Sequence, residues 1–273
     1  MIERYEIMNF VPPNFSANAT ALVIESEKYL PQLRELMPTA KITLLTKETS
    51  IELEKFCRKL KVDVIKGDYL RGALPIEPKI FDVIIADDCL TNSPDTYLTL
   101  AELNHLLKDA GFLLTQFYNA RFIGMLESLR LGQFPTHEQK FWAKWDVVKL
   151  LNDAIYKEIH FLPAEKVVAN VDEWVNFGFD NFSDDLLTKI WLVKACRYEA
   201  EVVALKDLYS EDVRAKLSRL LHRIEYGIDV GENLAKVVEL RQRENIFDDY
   251  FFDFVTQVVI HEDARNFIIE HMN

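Results

Sequence analysis

Short, mostly apolar runs alternate with amphipathic stretches through the first half of the chain. Ala21 to Ile24 is apolar and ends in the acid Glu25. Ile42 to Thr46 repeats the form, Val62 to Ile65 is closed by Gly67 and Asp68, and Phe81 to Ala86 and Gly111 to Gln116 follow. Runs this short and continuous are how strands buried on both faces read. Between them apolar residues recur at the helical period: Tyr29, Leu33, Leu36 and Met37 before Pro38; Ile51, Leu53, Phe56 and Leu60; Leu98, Leu103, Leu106 and Leu107. Thr49 and Glu52 have the spacing of a capping box for the second of these helices. Ser93-Pro94 opens the third, with proline suited to the first helical position. Strand-helix alternation predicts an α/β fold, a Rossmann-like open and mostly parallel sheet. The rhythm breaks too early for an eight-fold barrel.

After residue 117 the pattern changes. It predicts a helix from Arg121 to Leu131 ended by Gly132, a helix from Lys144 to Asn152, and strands over Tyr156–Leu162 and Ile190–Tyr198. Phe141, Trp142 and Trp145 sit at a spacing that reads as a cap packed on the sheet, or as a lid against a ligand. From Asp207 onward the chain is helical. Val213, Leu217, Leu220, Leu221 and Ile224 form one stripe ended by Gly227, and Asp229 with Glu232 opens the next helix. Phe247, Tyr250, Phe251, Phe254, Val255 and Val258 form an aromatic stripe. The division predicted is a sheet domain over 1–205 and a helical C-terminal extension over 206–273. A tail of that length is small for a core of its own, so it either docks on the first domain or pairs with a second copy, giving a homodimer through the C-terminal helices.

Composition narrows the partners. The chain has 44 acidic against 32 basic residues, a net charge of -12. That balance repels phosphate backbones and argues against nucleic acid as a partner. Cys57, Cys89 and Cys196 are far apart in sequence and read as reduced thiols of a cytoplasmic protein. Charged Glu3, Arg4 and Glu6 precede any apolar stretch, so the N-terminus does not read as a signal peptide, and no run has the length of a membrane span. The six histidines and three cysteines have no metal-ligand spacing, and no metal is expected.

The order of segments resembles the class I S-adenosylmethionine (SAM) dependent methyltransferases, particularly a bacterial group associated with sugar and cell-surface glycan metabolism. Val11-Pro12-Pro13 followed by Ala21 to Glu25 is similar to that group's proline turn and first strand. Phe81 to Asp88 resembles the fourth strand, and Leu106 to Gly111 the helix end and turn before the fifth. Asn119, Arg121, Gly132, Thr136-His137 and Lys149-Leu150-Leu151 are similar to the segment that follows. The likeness covers roughly residues 1–200 and rests on many weak matches in the right order.

The resemblance implies a cofactor crevice at the carboxyl ends of the strands, with Glu25, Ser26, Thr46 and Asp68 as SAM-binding positions. Asp87, Asp88 and His137 would be candidates for a base acting on a substrate hydroxyl. Two departures stand out. The family's glycine-rich loop after the first strand is here Ser26, Glu27 and Lys28, with no glycine before Gly67. The acid that binds the ribose is replaced by Thr46, with Lys47 next and Glu48 two residues on. Three readings stay open: a SAM-dependent methyltransferase on a small hydroxylated, sugar-like substrate; a non-catalytic binding or assembly protein on the same fold, interacting through its C-terminal helices; and a protein that uses the crevice for a ligand other than SAM.

Overall fold

The computed structural model describes residues 4–12, 15, 18–69, 76–134, 140–198, 209–259 and 261–272. They fall into two compact units, Met1–Glu199 and Ala200–Asn273.

The first unit is built on one sheet. Its strands are β1 (Thr20–Ile24), β2 (Lys41–Thr46), β3 (Val62–Lys66), β4 (Phe81–Ile85), β5 (Leu107–Asn119), β6 (Phe141–Trp142), β7 (Ile159–Lys166) and β8 (Thr188–Cys196). The order is β3-β2-β1-β4-β5-β8-β7, with the short β6 beside the end of β5. The β3 to β5 portion is parallel throughout, while β8 runs antiparallel to both β5 and β7. This is the open, mostly parallel, Rossmann-like sheet that the apolar runs predict. The chain winds from β1 outward to β2 and β3, then returns to place β4 on the other side of β1. The β1/β4 junction is therefore the switch point, where open α/β sheets form their ligand crevice outside the carboxyl ends.

The helices that flank the sheet are α1 (Leu30–Leu36), α2 (Ile51–Lys59), α3 (Cys89–Asn92), α4 (Thr96–Leu106), α5 (Ile123–Arg130), α6 (Lys144–Asp153) and α7 (Asp172–Asn176). Successive strand residues point to opposite faces, so β1 feeds two separate cores. Leu22 and Ile24 join Leu100, Leu103, Val147 and Leu151 of α4 and α6. Ala21 and Val23 join Leu30 and Leu33 of α1 and Cys57 of α2. Burial on both faces is why β1 carries no polar alternation. Where β4 meets β5 the backbones leave no room for a side chain: a Cβ on Gly111 would lie 2.8 Å from the Phe81 carbonyl oxygen.

Several local expectations are corrected. Ser50, not Thr49, caps α2: its hydroxyl accepts the Leu53 N–H at 3.1 Å from an extended backbone. Pro94 lies before α4, whose cap is Asp95, accepting the Leu98 N–H at 3.0 Å. Phe141 and Trp142 form a strand that pairs with Tyr118 and Asn119. Trp145 is 77% exposed and is no part of a packed cap.

The second unit contains α8 (Glu211–Glu225), α9 (Val230–Arg243), α10 (Asp248–Val258) and α11 (Glu262–Met272). Asp229 precedes α9 in a left-handed conformation, φ 43°, and its side chain makes no cap hydrogen bond. The capping-box expectation there is therefore corrected. Both predicted stripes do turn inward: Leu217, Leu221, Phe251 and Val255 share a cluster with Val237, Leu240 and Ile268. Every residue of that cluster belongs to this unit, so the helices carry a core of their own.

Candidate functional site

The loop after β1 begins with a strained residue. Glu25 has φ 55°, the left-handed region that glycine adopts freely. Holding a glutamate there costs on the order of 1–3 kcal/mol, and three hydrogen bonds offset it. Its N–H donates to the Leu45 carbonyl at 2.9 Å. Its carboxylate accepts the Lys47 N–H at 2.8 Å. The Thr46 hydroxyl lies 3.2 Å from the same carboxylate and 2.9 Å from the Glu48 carbonyl, its single hydrogen serving one or the other. The acid after β1 is thus turned toward the end of β2.

The next residues turn toward β4. Ser26 is buried, and its hydroxyl donates to Asp87 Oδ1. The Tyr29 hydroxyl donates to Asp87 Oδ2 at 3.0 Å, and the Lys28 ammonium lies 2.8 Å from that same oxygen. The Asp87 side chain is 2% exposed, whereas that of Lys28 is 63% exposed. Burial, then the charge of Asp87, pushes the Tyr29 hydroxyl far above its usual range, so it is a donor at every working pH. Lys28 also lies 4.8 Å from the Tyr29 ring centre.

At the β2 and β3 ends, the Lys47 ammonium lies 3.3 Å from Asp68 and 5.9 Å from the ring centre of Tyr69. Tyr69 is buried, and burial raises its hydroxyl as well. Asp88 precedes α3 as an exposed residue, yet the protein crowding its carboxyl raises its pKa. The Asp87 charge adds to the rise and Lys28 opposes it. Beside α3, Trp142 Nε1 of β6 donates to the Leu90 carbonyl at 2.9 Å, and Lys140, just before β6, donates to the Ser93 carbonyl at 2.5 Å.

The structure therefore places Glu25, Ser26, Thr46, Asp68, Asp87 and Asp88 together at the carboxyl ends of β1 to β4. His137 lies outside the described residues. Sequence reasoning assigned no site role to Tyr29, read as a core helix position, to Tyr69 or to Lys47, and it gave Lys28 one only as part of a loop that would contact a ligand other than SAM. Their one signal was the basic residue in each departure from the family pattern.

A second polar cluster sits where β5 ends and β8 begins. Buried Asp185 accepts Asn119 Nδ2 and Trp191 Nε1, each at 3.1 Å. Arg121 Nε lies 3.4 Å and the Lys144 ammonium 3.9 Å from the same carboxylate. Lys144 also lies 4.0 Å from the Trp191 ring centre, and burial lowers its pKa against the pull of Asp185. Among the described residues no group of three or more His, Cys, Asp and Glu side chains could hold a metal ion.

SAM, which the sequence resemblance implies, does not fit these side chains as they stand. The carboxylate of Glu25 is spent on the β2 end, both oxygens of Asp87 are taken by the loop, and Thr46 offers a hydroxyl already committed where a ribose needs an acid.

No protein-family model and no curated protein matches the chain. Among solved structures it is similar to a SAM-dependent methyltransferase from Thermotoga maritima, with 15% identity over 70% of this chain and 86% of that one, at a TM-score of 0.46. It is also similar to geranyl diphosphate C-methyltransferase from Streptomyces coelicolor, with 10% identity over 70% of this chain and 77% of that one, at a TM-score of 0.49. At such identities chemistry does not transfer from one chain to another.

Proposed function

We propose that this chain is a methyltransferase-fold protein that does not carry out methyl transfer and serves as a binding or assembly protein through its C-terminal helices. One observation carries the reading. The segment that would cradle a cofactor instead closes on the strand opposite, with Ser26, Lys28 and Tyr29 all on the carboxylate of Asp87. Support for the helical unit as the working surface comes from Tyr226, Ile228, Val238 and Phe247, which are large, apolar and exposed. A cavity of about 570 Å³ opens between Val238, Arg241, Phe247, His271 and their neighbours.

A second reading, a SAM-dependent methyltransferase on a small hydroxylated, sugar-like substrate, is favoured by Asp88. A carboxyl raised by its surroundings is suited to taking a hydroxyl proton nearer neutral pH.

Calorimetric titration with SAM, read beside thermal unfolding, separates the two. A ligand bound only by the native state adds about 2.7 kcal/mol of stability at about 100 times its dissociation constant. The non-catalytic reading expects no heat and no shift of the midpoint at millimolar SAM. A saturable heat with a raised midpoint would overturn it in favour of the second.

A further inference from the structure

Asp87 is a buried carboxylate with three donors of unequal kind. Ser26 and Tyr29 supply neutral hydroxyls from positions within the fold, Ser26 buried and Tyr29 half-buried. The Thr115 hydroxyl, 3.4 Å from the Asp87 carbonyl, helps hold its backbone. The cation comes from Lys28, whose side chain is 63% exposed. Lysine carries its charge on a long, flexible stem, so this ammonium can swing into water while the hydroxyls stay. Removing it takes the cation away from a buried carboxylate, a costly change that an incoming cation relieves.

We infer that Lys28 is a displaceable internal occupant of the switch-point crevice, holding at Asp87 the place of a ligand's primary ammonium group. The inference rests on the closed-crevice reading above and deepens it by naming the closing residue and the ligand chemistry it mimics. The Lys28 ammonium and an external one compete for the same oxygen. A site that is open only part of the time binds with its affinity reduced by the open fraction. Removing the internal competitor removes that reduction. Where Lys28 occupies the Asp87 oxygen about 90–99% of the time, an ammonium that must displace it gains about 10- to 100-fold in affinity when Lys28 is removed, and a ligand that does not reach Asp87 gains nothing.

The test uses the full chain with Lys28→Ala and with Lys28→Met, which keeps the length of the stem without the charge. Lys59→Ala, at the exposed end of α2, controls for loss of one positive charge. Two probes are titrated by calorimetry: S-adenosylhomocysteine, which carries a primary ammonium, and 5′-methylthioadenosine, which has the same nucleoside without it. Thermal unfolding of each variant confirms that it folds. The expected result is a gain of about tenfold or more for S-adenosylhomocysteine in both Lys28 variants, with none for 5′-methylthioadenosine and none in Lys59→Ala. Equal affinity in wild type and both folded Lys28 variants overturns the inference, as does an equal gain for both probes, which would mean that only space was freed. Tight SAM binding by the wild type would instead defeat the closed-crevice reading, so the two failures are told apart.

Discussion

Asp88 carries a carboxyl raised by its surroundings at the carboxyl edge of the sheet. Its folded-state pKa lies above the unfolded one because burial, then Asp87, disfavours the charged form. Between those two values the folded chain binds more protons than the unfolded chain, so stability falls as pH rises through that window. Above it the penalty is fully present, and below the ordinary carboxylate range it is gone. Asp88→Asn is therefore expected to raise the melting temperature at pH 7, with the gain fading as the pH is lowered toward 4. A gain that stays constant across this range would mean that the charge is not its cause. Glu25 makes the complementary point: it accepts left-handed strain to place a carboxylate where Lys47 N–H and Thr46 can reach it.

At the scale of elements, the end of β5, the start of α6, β8 and the 3-10 segment Phe182–Leu187 meet on one buried carboxylate. Ser183 and Asp184 take left-handed backbone angles of φ 57° and 58° just before it, and Lys166 at the end of β7 holds Asp184 at 2.5 Å. Removing one partner of a buried charged network leaves the others uncompensated, at a cost of roughly 3–5 kcal/mol. Asp185→Ala should lower the unfolding free energy read from urea denaturation by that order, and Asp185→Asn by less, since an amide oxygen still accepts from Asn119 and Trp191. A midpoint within error of wild type for Asp185→Ala would refute the hub. Its members were half legible: Asn119 and Arg121 stood out in the sequence by resemblance. Asp185 did not, because it lies 66 residues from Asn119 and on a segment without periodicity.

For the whole molecule, the helical unit bears the assembly prediction. If it pairs two copies, light scattering should give a dimer at micromolar concentration, and Val238→Glu or Phe247→Glu should give a monomer with an unchanged fold. A wild-type monomer at all concentrations would remove self-association and leave a different partner. The tail's own core, built around Leu217, Leu221, Phe251 and Val255, answers one question the sequence posed. The stripes are used inside the unit, so exposed Tyr226, Ile228, Val238 and Phe247 remain for any partner.

Local order was legible in the amino-acid sequence wherever a signal is short-range. Short apolar runs marked β1 to β5 within a few residues; β1, β2 and β4 are largely buried on both faces and leave little polar alternation to blur the signal. Helical stripes marked α1, α2, α4, α8 and α10 because one face of each is apolar. The sequence also showed that the loop after β1 lacks glycine. Which of two adjacent hydroxyls caps α2, that two aromatic residues would form β6, and that Lys28 would lie on Asp87 were decided only in the tertiary structure. Each of these depends on where the backbone directs a side chain and on which distant residue it then meets, and neither is encoded in spacing along the chain.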